Sequence, residues 1–464
     1  MTQSSLPQSQ NSTQDTPGQE QKSRQLDFLA KDTLIALTIQ AFGLVLTYAV
    51  QVCLARWMGK TEYGIYEYVI SWSMLLGIPA ALGLPRTVLR LLSEYRVKED
   101  WGHLRGLVRG SWLLTLLVGV LLSLGAAGVI WVLNSFHNFS YATPLLIGLA
   151  LVPLQALTVL QLETTRAMGD ITLAYAPSRI IWPIWVLCGG FLLFDANHSL
   201  DSLPMIEVAE LLLSAVLLFQ LWLLWEKIDR EIEPVTPVYS YQQWLGIARI
   251  LLLQQSFGVI LNRTDILMVG SIIGPSEAGI YNAALKTSMW VCFTLQVVNM
   301  VVAPLFASLY AQKDMQGLQK VVSRVTLWIF VPSIVIALSL IVFSKPVLSI
   351  FGSGFTAASW SLKILIVGQL VSALCGSVAN LMVMTGHQNK SVIVVGCTVL
   401  LNIVSNAIAI PMFGIIGAAI TTSLTVIVSN VWYSILVVKY VGVRPSVFYS
   451  LFNLFNSDLA AKKS

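Results

Sequence analysis

Three ionisable side chains stand inside apolar runs of this 464-residue chain, where a bilayer would surround them. Arg263 and Asp265 lie in "LNRTDILMVG", and Lys286 follows in "YNAALKTSMW". An ionisable group at mid-bilayer costs at least about 2.5–3.5 kcal/mol, so each is a candidate functional residue. Counted from the helix end near Ile272, Asp265 is seven residues deep and Arg263 nine, which is roughly 10 and 14 Å at helical rise. Lys286 lies six residues into the following segment. Asp265 and Lys286 therefore match in depth and are expected partners, either as a buried structural pair or as a coupling element. Arg263, two residues from Asp265 on one helix, points to another face and needs a different partner. It either snorkels and bonds carbonyls or grips an anion, for which a guanidinium fork suits phosphate oxygens.

Weaker candidates sit nearer the membrane faces. Glu163 and Arg166 end one apolar segment and Arg179 begins the next, while Arg56 and Lys363 stand at the opposite face. All five read either as interfacial anchors or as stations on a path for a charged head group. Catalysis has no support. His103, His137, His198 and His387 are scattered, and no His-Glu-x-x-His, Gly-x-Ser-x-Gly or Walker motif occurs. No catalytic residue, metal or cofactor is expected, and direct drive by nucleotide hydrolysis is not.

The elements that must position these charges are apolar helices. The chain is 56% hydrophobic and 11% charged, against about 25% charged residues in a soluble domain. It reads as an all-α integral membrane protein. Twelve stretches approach the roughly 20 residues that span a bilayer: 33–55, 65–85, 110–134, 143–165, 176–194, 205–225, 246–272, 280–304, 326–350, 359–384, 392–412 and 415–438. The tails and the loops after even-numbered segments, with the segment ends beside them, hold 22 of the 28 Lys and Arg. Both termini are therefore expected in the cytoplasm, with the protein in the cytoplasmic membrane. The basic stretch from Pro85 to Arg109 has the spacing of an amphipathic interfacial helix that would touch anionic lipid. The cations form no long block, so nucleic acid is not an expected partner. Residues 1–26, rich in Gln, Ser, Thr and Pro, read as a disordered tail. The five cysteines lie in apolar runs and read as small packing residues.

An internal repeat organises the twelve segments. A shift of 215 residues aligns Gly59, Glu62, Gly64, Ile65 and Tyr66 with Gly274, Glu277, Gly279, Ile280 and Tyr281. Six segments separate the copies, so the halves share one orientation and should be related by an axis along the membrane normal. The expected organisation is a tail (1–30), an N-lobe of six helices (31–225), a cytoplasmic linker (226–245), a C-lobe of six helices (246–438) and a second tail (439–464), with a central cavity between two pseudo-symmetric lobes. In the first half, Tyr48, Val50 and Ser71 stand where the second has Arg263, Asp265 and Lys286. The repeated fold does not itself require those charges.

The stretches "ARWMGKTEYGIY", "LNRTDILMVGSIIGPSEAGIYNAA", "GSGFTAASWSLKILIVGQLVSALCGSVANLMVMTGHQNK" and "IPMFGIIGAAITTSL" resemble the polysaccharide flippases of the multidrug, oligosaccharidyl-lipid and polysaccharide exporter superfamily. The resemblance implies twelve helices in two lobes and outward movement of lipid-linked glycans across the cytoplasmic membrane; joined to the charges read above, it gives a polyprenyl-pyrophosphate-linked oligosaccharide moved by alternating access, with Arg263, Lys286, Arg179, Arg166, Arg56 and Lys363 as cavity cations facing its head group. Asp265, Lys286 and Glu163 would then serve pairing or coupling. Two other functions fit the same fold: an ion-coupled multidrug antiporter, and a membrane scaffold contacting glycan-synthesis proteins.

Overall fold

The computed structural model describes residues 17–136, 141–232, 234–445 and 447. All twelve expected segments fall on helices, and no strand occurs among the described residues. Nine of the described helices are long and apolar enough to cross a bilayer. Two of these, Leu34–Ala81 and Gln388–Tyr440, continue across non-helical glycines, Gly59 and Gly414, and each covers two segments. The helix Tyr241–Ile272 is more polar, because it carries the charges described above.

Gly59 (φ 72°, ψ 177°) and Gly274 (φ 132°, ψ 164°) adopt backbone that suits glycine, so each ends one helix and starts the next within a residue. The second glycine of each motif has a different task. A Cβ built on Gly64 would lie 1.8 Å from the Pro275 carbonyl oxygen, and one on Gly279 would lie 2.6 Å from the Lys60 carbonyl oxygen and 2.9 Å from Gly64 Cα. Residues 60 and 275 are themselves equivalent under the repeat. Each glycine thus meets the partner half's counterpart, the reciprocal contact a two-fold axis demands. Close backbone approach is also what associates helices in lipid, where apolar side chains gain nothing by leaving the solvent.

Around this crossing, at the hairpin end, a single apolar cluster runs through both halves, from Leu54, Tyr66 and Val69 to Ile266, Tyr281, Phe351 and Ala418. At the opposite, basic end there are two clusters. One joins Val88, Leu92, Leu160 and Leu224 to Trp244, and the other joins Phe306, Val322, Leu381 and Val437. The halves thus share one apolar cluster at the hairpin end and have separate clusters toward the basic end, where they still touch at the start of the helix Tyr241–Ile272: a Cβ on Gly83 would lie 2.3 Å from the Ala248 carbonyl oxygen.

Three expectations change. The helix Pro17–Ala81 reaches back into the stretch read as a disordered tail, because "QEQKSRQLDFLAKD" is rich in good helix formers; residues 1–16 of that tail, and 446 and 448–464 of the second, lie outside the described residues. The helix Ser202–Glu231 continues past residue 225 into the stretch read as the linker, and residues 234–240 form no helix or strand. Val238 donates its amide to the Gly102 carbonyl at 2.9 Å, and Gly106 leaves room for the Val238 carbonyl. The amphipathic helix forms as Leu84–Val97, with Arg86 and Arg90 exposed, but its apolar face (Leu84, Val88, Leu91, Leu92 and Tyr95) is buried in the protein core instead of lying on lipid.

Candidate functional site

Asp265 is 3% exposed and does not pair with Lys286; no ion pair within 4 Å joins them among the described residues. It is held instead by neutral donors from the last two segments. Asn402 and Asn406 donate side-chain amides to Oδ1 at 3.0 and 2.7 Å, Thr422 donates its hydroxyl to Oδ2 at 2.6 Å, and Tyr281 reaches Oδ2 at 3.4 Å. The sharp reversal at Pro411–Gly417 builds this cage, since Gly417 packs against the Ala409 carbonyl, where a Cβ would come within 2.1 Å. Asn406 also accepts from the Thr421 hydroxyl, and the Ala418 carbonyl oxygen lies 2.8 Å from the Thr422 hydroxyl oxygen, the alternative acceptor for its one proton. The depth argument failed because depth is one coordinate, and the two side chains leave their helices in different directions.

Lys286 turns toward the seam between the halves. There it meets Arg263 and a carboxylate from the first half, Glu67, all within electrostatic reach of one another. Glu67 is 1% exposed, whereas both cations retain partial exposure. Among the described residues neither cation has a hydrogen bond or an ion pair within 4 Å. Their donors remain available to an anion in the seam, with a local surplus of positive charge.

Arg179 stands between the halves, toward the basic end. It occupies a π-helical turn, Pro177–Ile181, an irregularity often found at functional positions. With Gln40, Leu44, Gln296 and Val297 it lines a small cavity of about 80 Å³ between the halves. Its backbone packs on Gly43. The remaining candidates are not drawn together. Arg166 is spent on Glu163 at 2.7 Å and lies over the Tyr175 ring at 5.9 Å. Lys363 lies 4.8 Å from the centre of the Trp360 ring, and Arg56 is exposed on the first segment.

Sequence reasoning missed Glu67, Asn402, Asn406 and Thr422. Glu67 had a signal of its own, being a carboxylate inside the apolar segment 65–85 directly after the repeated Gly-Ile-Tyr. Asn402 and Asn406 had a weaker one, a four-residue spacing that sets both on one face of an otherwise apolar helix.

Two repeated halves of long apolar helices, crossing at Gly64 and Gly279 and carrying charge near their seam, define a multi-pass membrane protein with a transporter fold. The chain belongs to the polysaccharide biosynthesis protein family, matching it over residues 29–310, and residues 251–408 also match the MatE family. It is 23% identical over 434 residues to the "Probable low-salt glycan biosynthesis flippase Agl15" of Haloferax volcanii, covering 90% of this chain and 85% of that one. Two solved structures share its fold. An inward-facing multidrug resistance MATE family transporter of the MOP superfamily superposes with a TM-score of 0.66 at 13% identity, covering 87% of this chain and 98% of the other. The lipid II flippase MurJ, in an inward closed conformation, gives 0.66 at 16% identity, covering 92% and 93%.

Proposed function

We propose that this protein is a flippase that carries a polyprenyl-pyrophosphate-linked oligosaccharide from the cytoplasmic to the outer leaflet of the cytoplasmic membrane, for polysaccharide biosynthesis. The observation that carries the reading is the pair Arg263 and Lys286, two cations without a directly bonded partner at the seam between the halves. A pyrophosphate supplies the charge they lack, while the lipid tail stays in the bilayer. With the basic end toward the cytoplasm, as the charge asymmetry favours, entry would run from that end past Arg179. Rocking of the halves about the Gly64–Gly279 contact would then expose the site outward. A negative-inside potential favours outward passage of an anion by about 2.3 kcal/mol per charge per 100 mV.

A drug antiporter is the second reading, favoured by the buried Asp265, because a carboxylate in a cage of amides and hydroxyls suits a proton or a small cation. That element serves either cargo as a coupling device. The cargo is decided at the seam, where cations outnumber carboxylates. The assay is outward delivery of a lipid-linked oligosaccharide in vesicles. Arg263→Ala is expected to lower the rate at least roughly tenfold, equivalent to about 1.4 kcal/mol, and Arg263→Lys to rescue it only partly, since ammonium lacks the bidentate fork. Full delivery by both correctly inserted variants would remove Arg263 from the mechanism, and no delivery by the wild type would count against the flippase.

Orientation has a separate expected outcome. Single cysteines at positions 60 and 275 should react with an impermeant maleimide added outside cells, and cysteines at 98, 313 and 390 should not. Outward labelling at 313 would reverse the proposed sidedness.

A further inference from the structure

Glu67 has no part in the scheme above, although a buried carboxylate beside a proposed phosphate site ought to weaken it. Its place is fixed by helix geometry. Asn282 Nδ2 donates to Tyr63 Oη at 2.9 Å across the seam, and Tyr63 Oη in turn donates to Gln51 Oε1 at 2.5 Å. These bonds hold two helices side by side, both running from the hairpin end toward the basic end. One turn further along each come Glu67 and Lys286, on the same faces as Tyr63 and Asn282. Tyr48 and Thr287, hydrogen-bonded at 3.1 Å, close the seam next to Lys286. Arg263 approaches from the helix Tyr241–Ile272. Under the repeat the equivalents of Glu67, Arg263 and Lys286 are Asn282, Tyr48 and Ser71, so the fold needs none of the three charges.

The geometry points to Glu67 as a specificity-determining residue: an internal anion that competes for Arg263 and Lys286, and that a pyrophosphate displaces but a phosphodiester head group does not. A flippase surrounded by phospholipid meets single-charge phosphodiesters in vast excess over its substrate. Two cations alone would hold either ligand. With a tethered carboxylate in competition, a ligand carrying one negative charge merely exchanges for one already present, whereas pyrophosphate brings at least two and satisfies both cations at once. Rejection of the wrong ligand thus comes from a repulsive group built into the site. Neutralising both cations with the ligand also removes the through-space attraction of Glu67 for them across the seam. The inference rests on the flippase reading, whose pyrophosphate head group it uses.

The test is binding of polyprenyl pyrophosphate and of phosphatidylglycerol to the purified full chain in detergent, titrated separately by native mass spectrometry. For wild type the first should bind more tightly. Glu67→Gln is expected to tighten both, with phosphatidylglycerol gaining more, so that the preference falls by roughly tenfold or more. A merely structural role would weaken binding instead. Glu67→Asp, which keeps the charge, should hold the preference within about threefold. Adding Lys286→Gln to Glu67→Gln should loosen pyrophosphate again. If Glu67→Gln weakens pyrophosphate binding or leaves the preference unchanged while Arg263→Ala still loses it, the competitor role fails and the anion site stands. If wild type and Arg263→Ala bind polyprenyl pyrophosphate equally, the anion site itself fails and takes both readings with it.

Discussion

Replacing Gly64 with alanine is expected to cost about 3 kcal/mol or more, the upper end of overpacking, and to abolish transport of any cargo. The added Cβ would lie 1.8 Å from the Pro275 carbonyl oxygen and 3.0 Å from the Gly279 amide nitrogen, both backbone atoms that no rotamer change can move. The halves must separate at the contact about which they are proposed to rock. Gly279→Ala should do comparable damage, because the contacts are reciprocal, and the double variant should cost less than the sum, since separation caused by one methyl makes room for the other. Gly125→Ala is the control: nothing lies within 4 Å of its Cβ, and its helix should gain slightly from alanine. The measurements are thermal unfolding in detergent and delivery in vesicles. A Gly64→Ala protein with wild-type melting temperature and rate would show that the crossing is not the fulcrum.

Asp265→Leu is expected to be the most damaging change at a polar position, with folding yield lost along with activity. It would strand the Asn402 amide and take one acceptor each from Asn406 and Thr422, which keep Asn402 Oδ1 and the Ala418 carbonyl, and an unsatisfied buried donor costs about 1–3 kcal/mol. Asp265→Asn is gentler and more informative. It keeps the shape and removes the charge that would hold a cation. Turning over the Asn402 amide would present its oxygen to the same space, and the Ala418 carbonyl and Thr422 hydroxyl lie beside it. The set is hard oxygen with one carboxylate, which suits a monovalent ion more than a divalent one. Wild-type protein should therefore melt at a higher temperature in sodium chloride than in choline chloride, by the free energy of binding at about 2.7 kcal/mol for a hundredfold excess over Kd. Asp265→Asn should show no such difference. An equal sodium shift in the variant, or none in the wild type together with transport that ignores both sodium and proton gradients, would remove Asp265 from coupling.

Hydropathy and the repeat, both properties of the chain read in one dimension, made the architecture legible. Apolar runs of bilayer length become helices because no other segment geometry satisfies its own backbone in lipid. Two copies of Gly-x-x-Glu-x-Gly-Ile-Tyr an even number of segments apart must point the same way. The intramembrane cations were legible for the same reason, since a charge in an apolar run stands out by itself.

What the sequence by itself determined, then, was an all-helical chain of apolar segments, the repeat that relates its two hairpin motifs, and the place of each charge along its segment. Only the tertiary structure decided which charge meets which. Asp265 and Lys286 agree in depth, yet Asp265 is satisfied by residues of the last two segments, more than a hundred positions along the chain. Lys286 instead feels Arg263 and, from the other half, Glu67. Depth along the membrane normal follows from counting residues at a fixed rise, but direction around each helix axis follows from how the helices cross. That crossing is set where Gly64 and Gly279 bring two backbones into contact, a meeting of residues 215 positions apart that no local pattern specifies.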